Sequence, residues 1–210
     1  MLNRILTDKD REKYAHLIEK MFEVIPDMMG RKYERANVQQ AFAVDLFIKK
    51  YRDGNDVLCV GSDEDTSFAY LEEIGYKMTG IDPVMDGIDL HTYLQSTDEL
   101  FDIVFSVSVM EHVEDDTQFV TDICKLLKSG GLAILTVDFR EDYIVNTSNK
   151  PSDDYRLYTK ADYDRIANII SPHNCFFVDE FTVDAEPDFV CGDNWRYGFS
   201  TMVFRKNEKQ

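Results

Sequence analysis

The stretch Val57-Leu58-Cys59-Val60 is apolar at every position and stops at Gly61. A strand with one wet face alternates apolar and polar residues, whereas a strand covered on both faces by helices does not, and that cover is the signature of a parallel sheet. The same continuous pattern returns in Phe101-Asp102-Ile103-Val104-Phe105-Ser106-Val107 and in Leu132-Ala133-Ile134-Leu135-Thr136-Val137. Between these runs the period changes to that of a helix. Phe68, Leu71 and Ile74 form a stripe stopped by Gly75, and Phe119, Val120, Ile123, Leu126 and Leu127 form another stopped by Ser129-Gly130-Gly131. Lys77-Met78-Thr79-Gly80-Ile81 then completes a βαβ unit that ends in Asp82-Pro83, and a further short strand is expected near Gly87-Ile88-Asp89. Such alternation predicts a doubly wound α/β fold, whose ligand crevice opens at the carboxyl ends of the strands.

Two helices come before this pattern. Thr7 with Asp10 reads as a capping box ahead of Tyr14, Leu17, Ile18, Met21, Phe22 and Ile25. Ala41, Val44, Leu46, Phe47, Ile48 and Tyr51 mark the second helix, which stops at Asp53-Gly54-Asn55. After the core, Thr159 with Asp162 caps a last helix through Ile166, Ile169 and Ile170, which Pro172 ends. Phe176 to Val183 and Phe199 to Phe204 are then expected to close the sheet as an antiparallel pair. The expected class is therefore α/β, a mostly parallel seven-stranded sheet with an antiparallel C-terminal pair and two leading helices. A single domain over 1–210 is expected, with helices in 1–54, the binding core in 55–137 and the helix and strand pair in 159–210. The segment 138–158 is polar, rich in Tyr, Asn and Asp, and longer than ordinary connections, which predicts a functional loop that closes over the crevice.

Charge narrows the partners. With 23 basic and 40 acidic residues the formal charge is −17, and that mean field repels phosphate backbones and anionic lipid, so neither nucleic acid nor membrane is expected. The start of the chain turns charged at Arg4 and Asp8 and lacks the apolar centre of a signal peptide, so a cytoplasmic protein is expected. Cys59, Cys124, Cys175 and Cys191 are scattered without metal-ligand spacing and read as reduced core thiols, with no metal.

Four blocks together resemble class I S-adenosylmethionine-dependent methyltransferases. They are Val57-Leu58-Cys59-Val60-Gly61, Gly80-Ile81-Asp82, FDIVFSVSVMEHV over 101–113 and LLKSGGLAILTV over 126–137. The likeness runs from Val57 to Phe204 and implies S-adenosylmethionine as cofactor. It departs from the family where further loop glycines are usual: this chain has Ser62-Asp63-Glu64-Asp65, and Cys59 stands where an acid is common. By resemblance, Gly61, Ser62, Asp63, Asp82, Asp89 and Ser106 would contact the cofactor. Asp82, about twenty residues beyond the glycine, would grip the ribose hydroxyls and Asp89 would face the adenine. Asp63 and Asp65 either hold the ammonium of the methionine moiety or form a solvated acidic turn.

Methyl transfer needs mainly alignment, but an alcohol acceptor also needs a base, and His112 at the mouth of the fourth-strand block is the candidate. The alternative is that His112 packs or caps the following helix. Arg35, Tyr155, Arg156 and Tyr158 are the expected substrate-binding residues, with Arg31, Tyr33, Tyr143 and Asn146 beside them. DDYRLYTKADY resembles loops of methyltransferases from bacterial surface-glycan pathways, implying a sugar-like or capsule-precursor hydroxyl, or a phosphate-type oxygen. Two other classes stay open: a nicotinamide-dependent oxidoreductase, for which only one fingerprint glycine is present, and a non-catalytic cofactor-binding or interaction protein. The sequence leaves the oligomeric state open.

Overall fold

The computed structural model describes residues 1–85, 87–144, 156–191 and 195–208. In chain order the elements are β1 (Ile5–Leu6), α1 (Asp8–Val24), α2 (Pro26–Met29), α3 (Asn37–Lys50), β2 (Val57–Val60), α4 (Thr66–Glu73), β3 (Thr79–Ile81) and α5 (Leu90–Ser96). Then follow β4 (Phe101–Val107), α6 (Asp116–Leu126), β5 (Leu127–Phe139), α7 (Lys160–Ile170), β6 (Cys175–Phe177), β7 (Phe189–Cys191) and β8 (Trp195–Lys206). The sheet order is β1-β8-β5-β4-β2-β3, with β6 and β7 also paired to β8. β3, β2, β4 and β5 run parallel, and β8 lies antiparallel to β5.

The continuous apolar runs have a direct cause. Alternate residues of one strand fill two separate cores: Leu58, Val60 and Val104 face the side of α6 and α7, while Val57, Cys59, Ile103 and Phe105 face α1, α3 and α4. Burying a side chain of this size is worth about 1.5–3 kcal/mol, so a polar residue on either side would weaken the sheet. Cys59, Cys124 and Cys175 are buried and unbridged.

Several expected boundaries shift. The described residues form eight strands rather than seven, because β1, at the edge of β8 through Ile5↔Ser200, and β7, also paired to β8, are added while the strand expected near 87–89 is absent. Gly87-Ile88-Asp89 is not a strand: the Asp89 carboxylate accepts the Thr92 N–H at 2.7 Å and caps α5. The expected glycine turn before Leu132 lies inside β5, where the ladder jumps from Phe101↔Leu127 to Ile103↔Leu132. Gly131 is needed there, since a Cβ would stand 3.0 Å from the Phe101 carbonyl oxygen and 2.9 Å from that of Lys128. In the C-terminal pair only Phe176 and Phe177 of the expected Phe176–Val183 stretch are strand, as the end of β6. No helix among the described residues is long and apolar enough to cross a membrane.

Candidate cofactor and acceptor site

β2 pairs with β3 on one side and β4 on the other, so the chain reverses its direction of travel across the sheet there. Loops leaving such neighbouring strands diverge and leave a crevice at their carboxyl ends. A cavity of about 600 Å³ occupies it, within the range of small-molecule sites. Its wall includes Gly61, Asp63, Asp65, Asp82, Asp89 and His112.

Gly61 sits at φ +81°, with its N–H donating to the Ile81 carbonyl at 2.9 Å. A Cβ there would come within 2.3 Å of the Val109 Cγ2, so both backbone and space require glycine. The unusual SDED turn is resolved locally. Glu64 takes the left-handed conformation, φ 55°, which a glycine adopts more cheaply. Arg31 reaches its carboxylate at 2.7 Å and Lys32 at 3.6 Å, and these cations hold the carboxyl below its ordinary range. Asp65, expected either at the ammonium or in a solvated turn, is 5% exposed and accepts the N–H groups of Ser67 at 2.7 Å and Phe68 at 3.2 Å. It is the N-cap of α4. Burial raises its pKa, opposed by the bonds from Ser67 and Phe68.

Asp82 ends β3 and ties the two loops together: its Oδ1 accepts the Val84 N–H at 2.8 Å and its Oδ2 the Asp63 N–H at 3.2 Å. A carboxylate has further lone pairs, so these bonds leave capacity for hydroxyl donors in the cavity. Asp89 also faces the cavity while capping α5. Two expected cofactor side chains are not in the wall. Ser106 is 2% exposed and donates to the Val60 carbonyl at 2.8 Å, tying β4 to β2. Ser62 packs instead over Gly80, where a Cβ would meet the Ser62 Oγ at 2.9 Å.

His112 closes a 3-10 turn, Met110–His112, and reaches the cavity, and burial lowers its pKa below 6.5. That turn is braced from behind by residues expected to bind substrate. Tyr158 is fully buried, its hydroxyl oxygen 3.1 Å from both the Met110 carbonyl and the Asp116 carboxylate, which share its one proton. Arg156 donates to the carbonyls of Val113 at 2.8 Å and Glu114 at 2.6 Å and pairs with Asp116 at 3.1 Å. Arg35 lies away from the cavity, paired with Asp8 at 2.8 Å and Asp188 at 3.3 Å. Tyr155 and Asn146, with most of the expected lid, fall outside the described residues; Tyr143 is buried.

The structure adds residues that the sequence reading missed. Lys32, Gln40, Ser108 and Val109 line the cavity, and Ser108 sits at φ 53°, held by a 2.8 Å bond from its hydroxyl to the Gln39 Oε1. A non-glycine residue in that conformation beside a cavity is a common mark of a functional site. Glu111, next to His112, is 1% exposed, and burial pushes its pKa up to about 8 despite the nearby Ser108 hydroxyl and backbone amides.

This fold, with a glycine turn after one central strand, an acid after its neighbour and a histidine after the other, is that of the class I S-adenosylmethionine-dependent methyltransferases. A family model described as a methyltransferase domain matches residues 9–183, and the chain belongs to that family. The ubiquinone biosynthesis O-methyltransferase of Rickettsia conorii is 28% identical over 110 residues, covering 47% of this chain and 36% of its own length. That of Rickettsia typhi is 28% identical over 132 residues, covering 50% and 54%. The chain thus spans about half or less of these curated relatives. Among solved structures, the Burkholderia thailandensis 1,6-didemethyltoxoflavin-N1-methyltransferase, with bound 1,6-didemethyltoxoflavin and S-adenosylhomocysteine, superposes with a TM-score of 0.59 at 17% identity, over 95% of this chain and 91% of that one. Coclaurine N-methyltransferase, bound to N-methylheliamine and S-adenosylhomocysteine, gives 0.54 at 10% identity, over 95% and 87%. At these identities the likeness is one of fold.

Proposed function

We propose that this chain transfers a methyl group from S-adenosylmethionine to a hydroxyl of a small, polar, sugar-like acceptor in the cytoplasm. The observation that carries this reading is the placing of Gly61, Asp82 and His112 in the wall of one cavity at the β2/β4 fork. Gly61 lets the backbone lie close to the methionine part, Asp82 accepts from the ribose hydroxyls, and Asp89 lies on the adenine side. When bound, S-adenosylmethionine supplies a methyl carbon already attached to a good leaving group. His112 would take the proton of the acceptor hydroxyl as that oxygen becomes methylated. His112 suits the task because burial keeps it neutral, and therefore basic, at neutral pH.

The acceptor's polar character is supported by Gln40 and Ser108 in the wall. Neither Rickettsia relative is named for a surface glycan, so a capsule precursor rests on the 153–163 resemblance alone. A phosphate-type oxygen suits the site less well. The wall holds Asp63, Glu64, Asp65, Asp82, Asp89, Glu114, Asp115 and Asp122 against one lysine, Lys32, which is already paired with Glu64.

The nicotinamide alternative meets the same field. A dinucleotide pyrophosphate would sit at the N-terminus of α4, where the Asp65 carboxylate already takes the Ser67 and Phe68 amides. Thermal melting separates the readings. S-adenosylmethionine and S-adenosylhomocysteine at 100 times Kd should each stabilise the fold by about 2.7 kcal/mol, and NAD should leave melting unchanged. Stabilisation by NAD alone would overturn the assignment.

A further inference from the structure

Buried polar side chains without partners are rare, because each carries an uncompensated desolvation cost, and beside a cavity a ligand's groups can supply the missing partner. Several such atoms stand where α3 meets the end of β4. Asn37 is fully buried, yet neither its Nδ2 nor its Oδ1 has a hydrogen-bond partner. Gln40, one turn further on the same helix face, has an unpartnered Oε1 and lines the cavity. Across from them Ser108 lines the cavity and bonds to Gln39, and three residues later both carboxyl oxygens of Glu111 lack a partner at 1% exposure.

We propose that Gln40 and Ser108, both in the cavity wall, form the acceptor subsite, with Glu111 as a positioning residue beside Ser108, and that this subsite takes an uncharged acceptor through hydrogen bonds alone. The inference rests on the methyl-transfer reading and adds the class of acceptor. Gln40 offers an unpartnered acceptor oxygen and Ser108 a lone pair, so the set matches the donors of hydroxyl or amide groups. It contains no cation to pair with a phosphate or carboxylate. Glu111 in its acid form has one O–H to give, and the neighbouring Ser108 hydroxyl, whose own proton goes to Gln39, can accept it. The chain Glu111, Ser108, Gln39 then has one direction and fixes where Ser108 presents its remaining lone pair. Ionised, Glu111 would compete with Gln39 for the Ser108 proton and turn the hydroxyl round.

Burial favours the acid form of Glu111, against the Ser108 hydroxyl and the Glu111 and Asp138 backbone, which favour the ionised one. Asp138 on β5 is buried nearby, and His112 adjoins it in the chain. Tyr158, whose own pKa is raised partly by Glu111, and Asp116 lie behind the turn, while the Arg156 guanidinium is taken by Asp116 and the Val113 and Glu114 carbonyls. The sign of the effect follows. A carboxyl whose folded pKa, about 8, exceeds its ordinary 4.5 stabilises the fold less as pH rises between those values.

The test uses the full chain, methyl-labelled S-adenosylmethionine and a deproteinised small-molecule extract of the source cells split by anion exchange. Label should enter the uncharged fraction. With the labelled compound as acceptor, Glu111→Leu should raise KM at least tenfold while S-adenosylhomocysteine affinity stays within twofold, and Glu111→Gln, which keeps a donor and an acceptor in place, should recover most of that loss. Parent activity should fall above pH 8, and the glutamine variant should lose that fall. The melting temperature of Glu111→Gln should also rise relative to the parent as pH is taken from 4.5 to 8, a readout that needs no acceptor. Label entering only the anionic fraction, or a Glu111→Leu variant with parental KM, would overturn the proposal. No label in either fraction, with S-adenosylhomocysteine still bound, would instead overturn the methyl-transfer reading beneath it.

Discussion

His112→Ala should lower turnover on an alcohol acceptor on the order of 10²-fold or more while leaving S-adenosylhomocysteine affinity almost intact. The expectation follows from position and protonation together. The imidazole stands in the cavity wall on a turn braced by Tyr158, and burial lowers its pKa from 6.5. Its neutral form accumulates as pH rises through that lowered value, so parent activity should climb on the acid side and level off before neutrality. The variant should lose that limb. Steady-state rates from pH 5 to 8 check both points, and parental turnover with an unchanged profile would leave His112 as a packing or capping residue.

Asp82→Ala should weaken S-adenosylhomocysteine binding by roughly 10- to 150-fold, since hydrogen bonds to a charged group contribute about 1.5–3 kcal/mol. Part of the loss comes through the protein itself, because Asp82 also accepts the Asp63 and Val84 amides that shape the loops beside Gly61. Asp82→Asn separates the two contributions. It keeps one oxygen for a backbone amide but loses the charge and one acceptor towards ribose, so it should fall between parent and alanine. Calorimetric titration measures all three, and equal affinities would remove Asp82 from the cofactor site.

The parts of the cavity wall that could be read from the sequence are those fixed by their place at a strand end. Gly61, Asp82 and His112 each directly or closely follow an apolar run, and in a doubly wound sheet the carboxyl ends of neighbouring strands converge on one crevice. Side chains whose roles depend on distant partners could not be read this way. Arg35 has the chemistry of a substrate anchor, but Asp188, 153 residues away, holds it elsewhere. Tyr158 and Arg156 are polar and follow a long loop, yet they brace the turn that carries His112. Asp89 looks like the end of a strand because Gly87-Ile88 precedes it, whereas its carboxylate caps a helix. Glu111 gave no signal, since an acid beside a histidine says nothing about burial, and only the folded chain shows the burial that pushes its pKa up to about 8.

The central claim is that the cofactor binds at the β2/β4 fork, and hydrogen exchange with and without S-adenosylhomocysteine tests it most directly. Slowed exchange is predicted at the amides of 61–65, 82–85, 88–91 and 107–115, around Gly61, Asp82 and His112. A second cavity, lined by Tyr51, Asn55, Lys77, Thr79, Glu99 and Lys128 at the opposite ends of the strands, should stay unchanged. Protection confined to that second cavity, or absent from both at saturating ligand, would contradict the account.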